Sequence, residues 1–419
     1  MSEIRLLTVD DIDNAIPVLS NAYPGFPIES DQDKKDFREA LTQRINDDPN
    51  LDFYIYLRDD RILAFIRLHN FTMNLFGTKI LAGGGGALAV DLCHKKEHIA
   101  KEIVEFFFEK YRSAGSPLAV LWPFRPDFYV KMGAGLGIRT DFYKVRTSAF
   151  PRGSGKENIR FLTIDDVPAL VDCYNRYASA TNGMIDDYVL DRQIKFKRQK
   201  GIRAIGYFEG DQILGYMIFK NEKNHATNIL NNTIRVTEWI YECPAALSAM
   251  SSFIRSQADQ YEWIAVPTPD EDFHLFLTDP RNDSGNLHPG VYHECADSTI
   301  GIMYRVLCTE GIFRATPERD FNGVNAKVRF RTRDSFLPAN DVAVTVHFKD
   351  GKAEVQDSEA EYDVELTLDI SDFSSLIVGA VRLRSLWNYG KIELSDDSRL
   401  EQLCQLLEVQ ERPICLTQF

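Results

Sequence analysis

The chain has 419 residues, a formal net charge of −14, and 44% hydrophobic against 26% charged residues. This is the balance of a soluble globular protein, and the length calls for roughly two to four domains rather than one core. With no apolar run of about 18 residues it predicts no membrane span, and its acidity argues against non-specific nucleic-acid binding while favouring small cationic partners. Seven cysteines without a CxxC pair, and a start (MSEIRLLTVDD) unlike a secretory signal, predict reduced thiols and a cytoplasmic setting.

The first unit is expected over residues 1–150. It opens with a strand (Ile4 to Leu7), then a helix with Ile12, Ile16, Leu19 and Tyr23 on one stripe and Asp10 or Asp11 as its cap. A second helix near Lys34 to Ile45 puts Phe37, Leu41 and Ile45 on one face. Strands near Asp52 to Arg58 and Ile62 to His69 flank the turn Arg58-Asp59-Asp60-Arg61. A third strand ends in Ala87 to Val90, behind the run Gly83 to Gly86. After the loop from Asp91 to His98 comes a helix with Ile99, Ile103, Phe107 and Tyr111 on one face, then the buried strand Leu118 to Trp122. A short helix (Asp127 to Met132) and another strand follow.

That order repeats over 151–295, behind the linker PRGSGKEN. IRLLTVDD from Ile4 returns as IRFLTIDD from Ile159, and DDRILAFIRL from Asp59 as GDQILGYMIF from Gly210. A repeat about 150 residues apart is a duplicated domain, not a solenoid. The third unit, 296–419, alternates in VAVTVHF, KAEVQ and VELTLDI, which predicts antiparallel strands, with helices near Ser371 to Arg384 and Ser398 to Leu407.

One connection carries chemistry. A strand feeding a helix N-terminus aims free N–H groups and the helix dipole at one place, a ready anion site. In the first copy that step is Asp91-Leu92-Cys93-His94-Lys95-Lys96-Glu97-His98; in the second it is Tyr241-Glu242-Cys243-Pro244, with a carboxylate and no base. Only the first copy therefore looks able to hold a pyrophosphate, a solvated basic turn being the plainer alternative. His94 and His98 do not have the partners of a metal site, and His288, His293 and Cys295 read as a loop.

Four passages carry a family resemblance: GGALAVDLCHKKEHIAKEIVEFFF, SPLAVLWPFRPDFYVKMGAG, DFSSLIVGAVRLRSLWNYGKIEL and the ending RPICLTQF. They resemble the enhanced intracellular survival (Eis) family of GNAT N-acetyltransferases over essentially the full length. The resemblance implies an α/β (α+β) protein: two tandem GNAT-type mixed-sheet domains, the second without the cofactor loop, then a sterol-carrier-protein-2-like α+β domain that supplies a C-terminal carboxylate. It implies acetyl-CoA as co-substrate, no metal, a small-molecule amine as acceptor, and a homo-oligomer, a hexamer being the form it suggests.

By the same resemblance Leu88, Ala89 and Val90 pair with the pantetheine arm. The N–H groups of Lys96, Glu97, His98, Ile99, Ala100 and Lys101 hold the pyrophosphate, and Phe124 and Arg125 line the cofactor. Tyr129 is the general acid and the α-carboxylate of Phe419 the general base of a direct transfer to a primary amine. Phe26 and Phe37 are candidates for the acceptor wall, with core packing an equal reading for Phe37. Tyr129 alone also reads as a packing aromatic beside Phe128. The family loop has the form Arg-Arg-x-Gly-x-Gly/Ala, so His98 stands at a glycine position, Lys replaces Arg, and Glu97 adds negative charge beside a phosphate. Two alternatives follow: a non-catalytic relative that binds a ligand or partner, or an acyltransferase using another donor.

Overall fold

The computed structural model describes residues 2–25, 28–198, 200–229 and 231–419. The chain opens with β1 (Ser2–Leu6), a 3₁₀ turn and helices α1 (Ile12–Ala22) and α2 (Asp31–Asp47). Strands β2 (Leu51–Arg58), β3 (Arg61–Leu75) and β4 (Thr78–Val90) form an antiparallel meander. The β2–β3 turn places Asp59 at φ 49° and Asp60 at φ 61°, the left-handed pair that matches a two-residue hairpin to strand twist. Helix α3 (Ile99–Ser113) then crosses to β5 (Leu118–Leu121), which lies parallel to β4, before the short α4 (Pro126–Val130) and β6 (Gly135–Leu136).

Asp11 stands at the N-cap position of α1, as the sequence suggests, but its side chain makes no cap bond to the helix. Thr8 caps the preceding 3₁₀ turn, and the Asp11 carboxylate accepts from its N–H at 2.9 Å and its hydroxyl at 2.7 Å while Arg5 grips the same carboxylate at 2.7 and 2.9 Å. The second copy repeats this with Thr163, Asp166 and Arg160. The repeated Arg-x-x-Thr-x-x-Asp pattern is therefore a strand–helix corner.

Next comes β7 (Arg139–Arg146), then β8 (Ile159–Phe161), α5 (Val167–Ala180), α6 (Val189–Arg198), β9 (Ile202–Glu209), β10 (Gln212–Lys223), β11 (Asn232–Tyr241), α7 (Pro244–Arg255) and β12 (Trp263–Thr268). A turn of helix α8 (Phe273–Phe276), the hairpin β13 (Leu287–His288) and β14 (Tyr292–His293), and β15 (Ala296–Ile300) complete this part. Its sheet runs β15-β7-β12-β11-β10-β9-β8.

The remainder is β16 (Met303–Val306), α9 (Thr309–Arg314), β17 (Ala326–Arg333), β18 (Ala343–Lys349), β19 (Lys352–Val355), β20 (Val364–Asp369), α10 (Ile370–Ile377), α11 (Leu383–Asn388), β21 (Ile392–Leu394) and α12 (Leu400–Leu407). Two sheets result. β16 pairs antiparallel with both β5 and β6, so the first sheet reads β1-β2-β3-β4-β5-β16-β6; the other reads β19-β18-β17-β20-β21.

The chain therefore divides into one compact unit of Met1–Gly137 with Ile302–Phe419 and another of Ile138–Gly301. These borders differ from the expected 150 and 295 because β7 and β15 pair with each other in the second sheet. In the third region, the strand VELTLDI is not purely antiparallel. As β20 it lies parallel to β17, a strand without a place in the sequence reading, and antiparallel to β21. The helix expected over Ser371 to Arg384 breaks at Gly379, φ 89°, into α10 and α11. Among the described residues no helix is long and apolar enough to cross a membrane.

Candidate active site

Beside β5, strand β4 is paired only from Ala82 opposite Leu118 to Gly85 opposite Leu121. Beyond that point β4 runs on to Val90 while β5 has ended, so the sheet opens into a notch. On its other edge β4 carries a bulge: Phe65 pairs with Ala89 and Arg67 with Gly86, leaving Ile66 opposite both Ala87 and Leu88. Ala87 takes φ 50° to make it, and such a bulge re-aims the backbone beside the notch. Leu88 and Val90 are half-buried and Ala89 buried.

The glycine run is part of β4, and its two faces do different things, as strand alternation requires. A Cβ on Gly83 would enter the Tyr111 ring, and one on Gly85 would lie 2.6 Å from the Phe107 ring, so these two let α3 close on the sheet. On the other face, a Cβ on Gly84 would enter the Phe71 ring, and one on Gly86 would lie 3.4 Å from the carboxyl carbon of Phe419.

The last residue of the chain thus sits over the first sheet at the mouth of the notch. Its ring lies edge-on to Phe71 at 4.7 Å, His69 at 5.4 Å and Trp122 at 6.4 Å between centroids. The indole N–H of Trp122 donates to the carbonyl of Thr417 at 3.1 Å, fixing the approach of the tail.

Tyr129, on α4, is buried and edge-on to Phe128 at 5.1 Å. Burial, followed by the neighbouring Tyr23, pushes its hydroxyl well above the usual phenol range. Tyr23 donates to the Leu88 carbonyl at 2.7 Å and meets Phe124 edge-on at 6.4 Å. Burial raises the Tyr23 pKa too, while the field of Arg67 opposes the rise. Tyr129, Tyr23, Arg67 and the Phe419 carboxyl are therefore successive neighbours, the last two sharing the space above Gly86.

At the loop, Lys96 adopts φ 70° and His98 φ 66°, His98 forming the N-cap of α3. The backbone thus takes the left-handed turn that a glycine would supply, and the exposed side chains of Lys95, Lys96 and His98 leave the helix N-terminus accessible. The expected repulsion from Glu97 is reduced: Arg58 holds its carboxylate at 2.5 Å. His94 bonds Asp91 at 2.9 Å. Lys101 lies over the Phe336 ring at 5.9 Å, and Ala100 is half-buried. Among the described residues no three His, Cys, Asp or Glu side chains gather as a metal site.

Of the other candidates, Phe124 is 78% exposed and Arg125 is tied to Asp127 at 2.5 Å. Phe37 packs on the core shared by α1, β2 and β3, while Phe26 lies outside the described residues.

Residues 3–137 match the family described as "Acetyltransferase (GNAT) domain", residues 185–306 match a second family of the same description, and residues 312–416 match "Sterol carrier protein domain". The chain carries two GNAT acetyltransferase domains followed by a sterol carrier protein domain. Its full-length fold is shared with a GCN5-related N-acetyltransferase from Anabaena variabilis ATCC 29413 (TM-score 0.81, 16% identity) and one from Kribbella flavida (0.76, 17%), each covered over 100% of both chains. Eis1 from Mycobacterium abscessus matches likewise, with TM-score 0.76, 16% identity and 100% of both chains covered, so the architecture is Eis-like. No curated protein sequence matches this acetyltransferase.

In the second GNAT domain ion pairs occupy the strand–helix step before α7 and the β10–β11 bulge. Before α7, Glu242 is gripped by Arg176 at 2.9 and 2.7 Å, and Pro244 removes an N–H from the helix start. At the β10–β11 bulge, buried Arg192 pairs with Asp187 at 2.5 Å and with Glu238 at 2.8 Å, and the Tyr216 hydroxyl also donates to Glu238. In the first GNAT domain, sequence reasoning passed over Tyr23, Arg67, His69, Phe71, Gly84, Gly86 and Trp122. The signal available was alternation: Arg67, His69 and Phe71 stand at steps of two on β3, opposite Gly86, Gly84 and Ala82.

Proposed function

We propose that this acetyltransferase moves an acetyl group from acetyl-CoA directly to a primary amine in the notch of the leading GNAT domain. The observation that carries the reading is the Phe419 carboxyl lying over Gly86 at the mouth of that notch. The residues present fit the donor: an unpaired β4 edge over Leu88, Ala89 and Val90, the accessible N–H groups at the start of α3, and exposed Lys95 and Lys96. When bound, acetyl-CoA supplies the thioester carbonyl.

In this reading the Phe419 carboxylate accepts a proton as the amine nitrogen bonds to the acetyl carbon. Backbone N–H groups near Val90 take up the developing oxyanion charge. The carbon–sulfur bond then breaks, and Tyr129, kept protonated by its burial, gives its proton to the thiolate. Solvent returns a proton to Tyr129 and receives the one held on Phe419. An acidic chain suits a cationic acceptor, and the seven free cysteines suit a cytoplasmic setting.

The test is thiol release from acetyl-CoA across a panel of primary amines. Tyr129→Phe should lower kcat by about a hundredfold or more, the range of general-acid catalysis. Adding residues after Phe419 should abolish turnover and leave the circular dichroism and melting curve unchanged. Full turnover by the extended chain would remove Phe419 from the mechanism. No calorimetric heat with millimolar acetyl-CoA would favour the non-catalytic alternative.

A further inference from the structure

We infer that Arg67 is a positioning residue that seats the carboxylate of Phe419, within a socket that β3 and β4 build for a free aromatic C-terminus. The kinetic part of this inference rests on the acetyl-transfer reading; the socket itself does not. Residues at steps of two share a strand face, so Arg67, His69 and Phe71 present one row from β3. Their partners on β4 are Gly86, Gly84 and Ala82. The tail lies along this row. The ring of Phe419 meets His69 and Phe71, while its carboxyl carbon and oxygen lie 3.4 and 3.5 Å from the point where a Gly86 Cβ would stand. Nη2 of Arg67 lies 3.2 Å from that same point.

Each small partner has a physical reason. A side chain at position 84 would displace Phe71, the wall of the ring site; one at 86 would fill the space where guanidinium and carboxylate gather. Trp122 closes the third side and holds the Thr417 carbonyl. A planar, permanently charged guanidinium suits a carboxylate, and a charge-assisted contact in a half-buried site is stronger than one in water. Arg67 itself transfers nothing; it acts through Phe419.

The experiment uses the full chain in three forms: native, Arg67→Met and Arg67→Lys, each first shown to melt like the native protein. Carboxypeptidase A release of Phe419, followed by mass spectrometry without any substrate, reads the seat directly. Arg67→Met should release Phe419 faster by about tenfold or more, the factor a charge-assisted hydrogen bond is worth, with Arg67→Lys between it and native. In thiol release, kcat should fall in the same order while KM for acetyl-CoA stays within about twofold, the donor lying along β4 and α3. Release at the native rate in Arg67→Met, or a Lys variant no better than Met, overturns the proposal. If the native chain acetylates no amine, the acetyl-transfer reading fails while the release rates still decide the seat.

Discussion

His98 holds a left-handed conformation, φ 66°, at the N-cap of α3, the helix start proposed above for the diphosphate. Histidine is among the side chains that tolerate this region, yet the conformation still stores of order 1 kcal/mol. His98→Gly should remove that strain, and the looser unfolded chain should offset part of the gain, so the net change in stability stays within about 1 kcal/mol. The bound state should gain more, because a glycine lets the backbone approach a diphosphate closely. The expected outcome is a lower calorimetric Kd for acetyl-CoA with a nearly unchanged melting curve; weaker binding would count against this loop as the pyrophosphate site. The residue-scale lesson is that sequence showed which residue departs from pattern but not how the turn absorbs it. Arg58, on β2, neutralises Glu97 across a sheet edge, a partnership that separation along the chain conceals.

The strand–helix corner of each GNAT domain is a small electrostatic device. In the second copy Arg160, then Thr163, holds the Asp166 carboxyl down at a pKa of about 2, below the ordinary carboxylate value. A pKa depressed by folding contributes stability above the unfolded value of about 3.9, and the contribution is lost as pH falls towards about 2. Asp166→Ala should therefore cost about 1 kcal/mol near neutrality, the scale of a lost helix cap, with the gap to native closing in acid. Urea midpoints followed from about pH 6 down to about pH 3 would show this; a gap independent of pH would mean that Asp166 acts by packing alone. This corner was legible from sequence as a repeat, as were the element order of both domains and the loop before α3, because local periodicity writes them. Asp11 does stand at the N-cap of α1, but its side chain reaches back to Thr8 instead of bonding the helix, and the two arrangements look alike in a string. The socket for Phe419 was not legible. In the string Gly83 to Gly86 stand only as a run ahead of Ala87 to Val90, whereas in the structure each one faces a particular ring or the tail.

At the scale of the molecule, the tail and a buried seam belong to the same compact unit. Strand β16, reached only after the entire second unit, lies between β5 and β6 and so completes the leading sheet. It carries Arg305 into the interior, where the guanidinium meets Asp334 at 2.5 Å with both side chains fully excluded from solvent. Burial lowers the Arg305 pKa, and Asp334 opposes the fall. Further bonds hold both partners: Arg305 also donates to the carbonyls of Met132 and Val306, and Asp334 accepts from the N–H groups of Phe336 and Leu337 and from Asn340. Such a pair adds little net stability over well-packed apolar groups, but losing one partner leaves a buried charge and costs about 3–5 kcal/mol. Arg305→Met should destabilise the chain by that much near neutrality. Adding Asp334→Asn should restore part of the stability, and the double-mutant cycle measured by urea unfolding would give the coupling. Because α10 and β16 carry the chain on towards Phe419, Arg305→Met should also raise the carboxypeptidase release of Phe419 under mildly destabilising urea, although Arg305 does not touch the tail. Release that stayed at the native rate while the seam weakened would mean that the socket on β3 and β4 holds Phe419 independently of how the sterol carrier domain is docked.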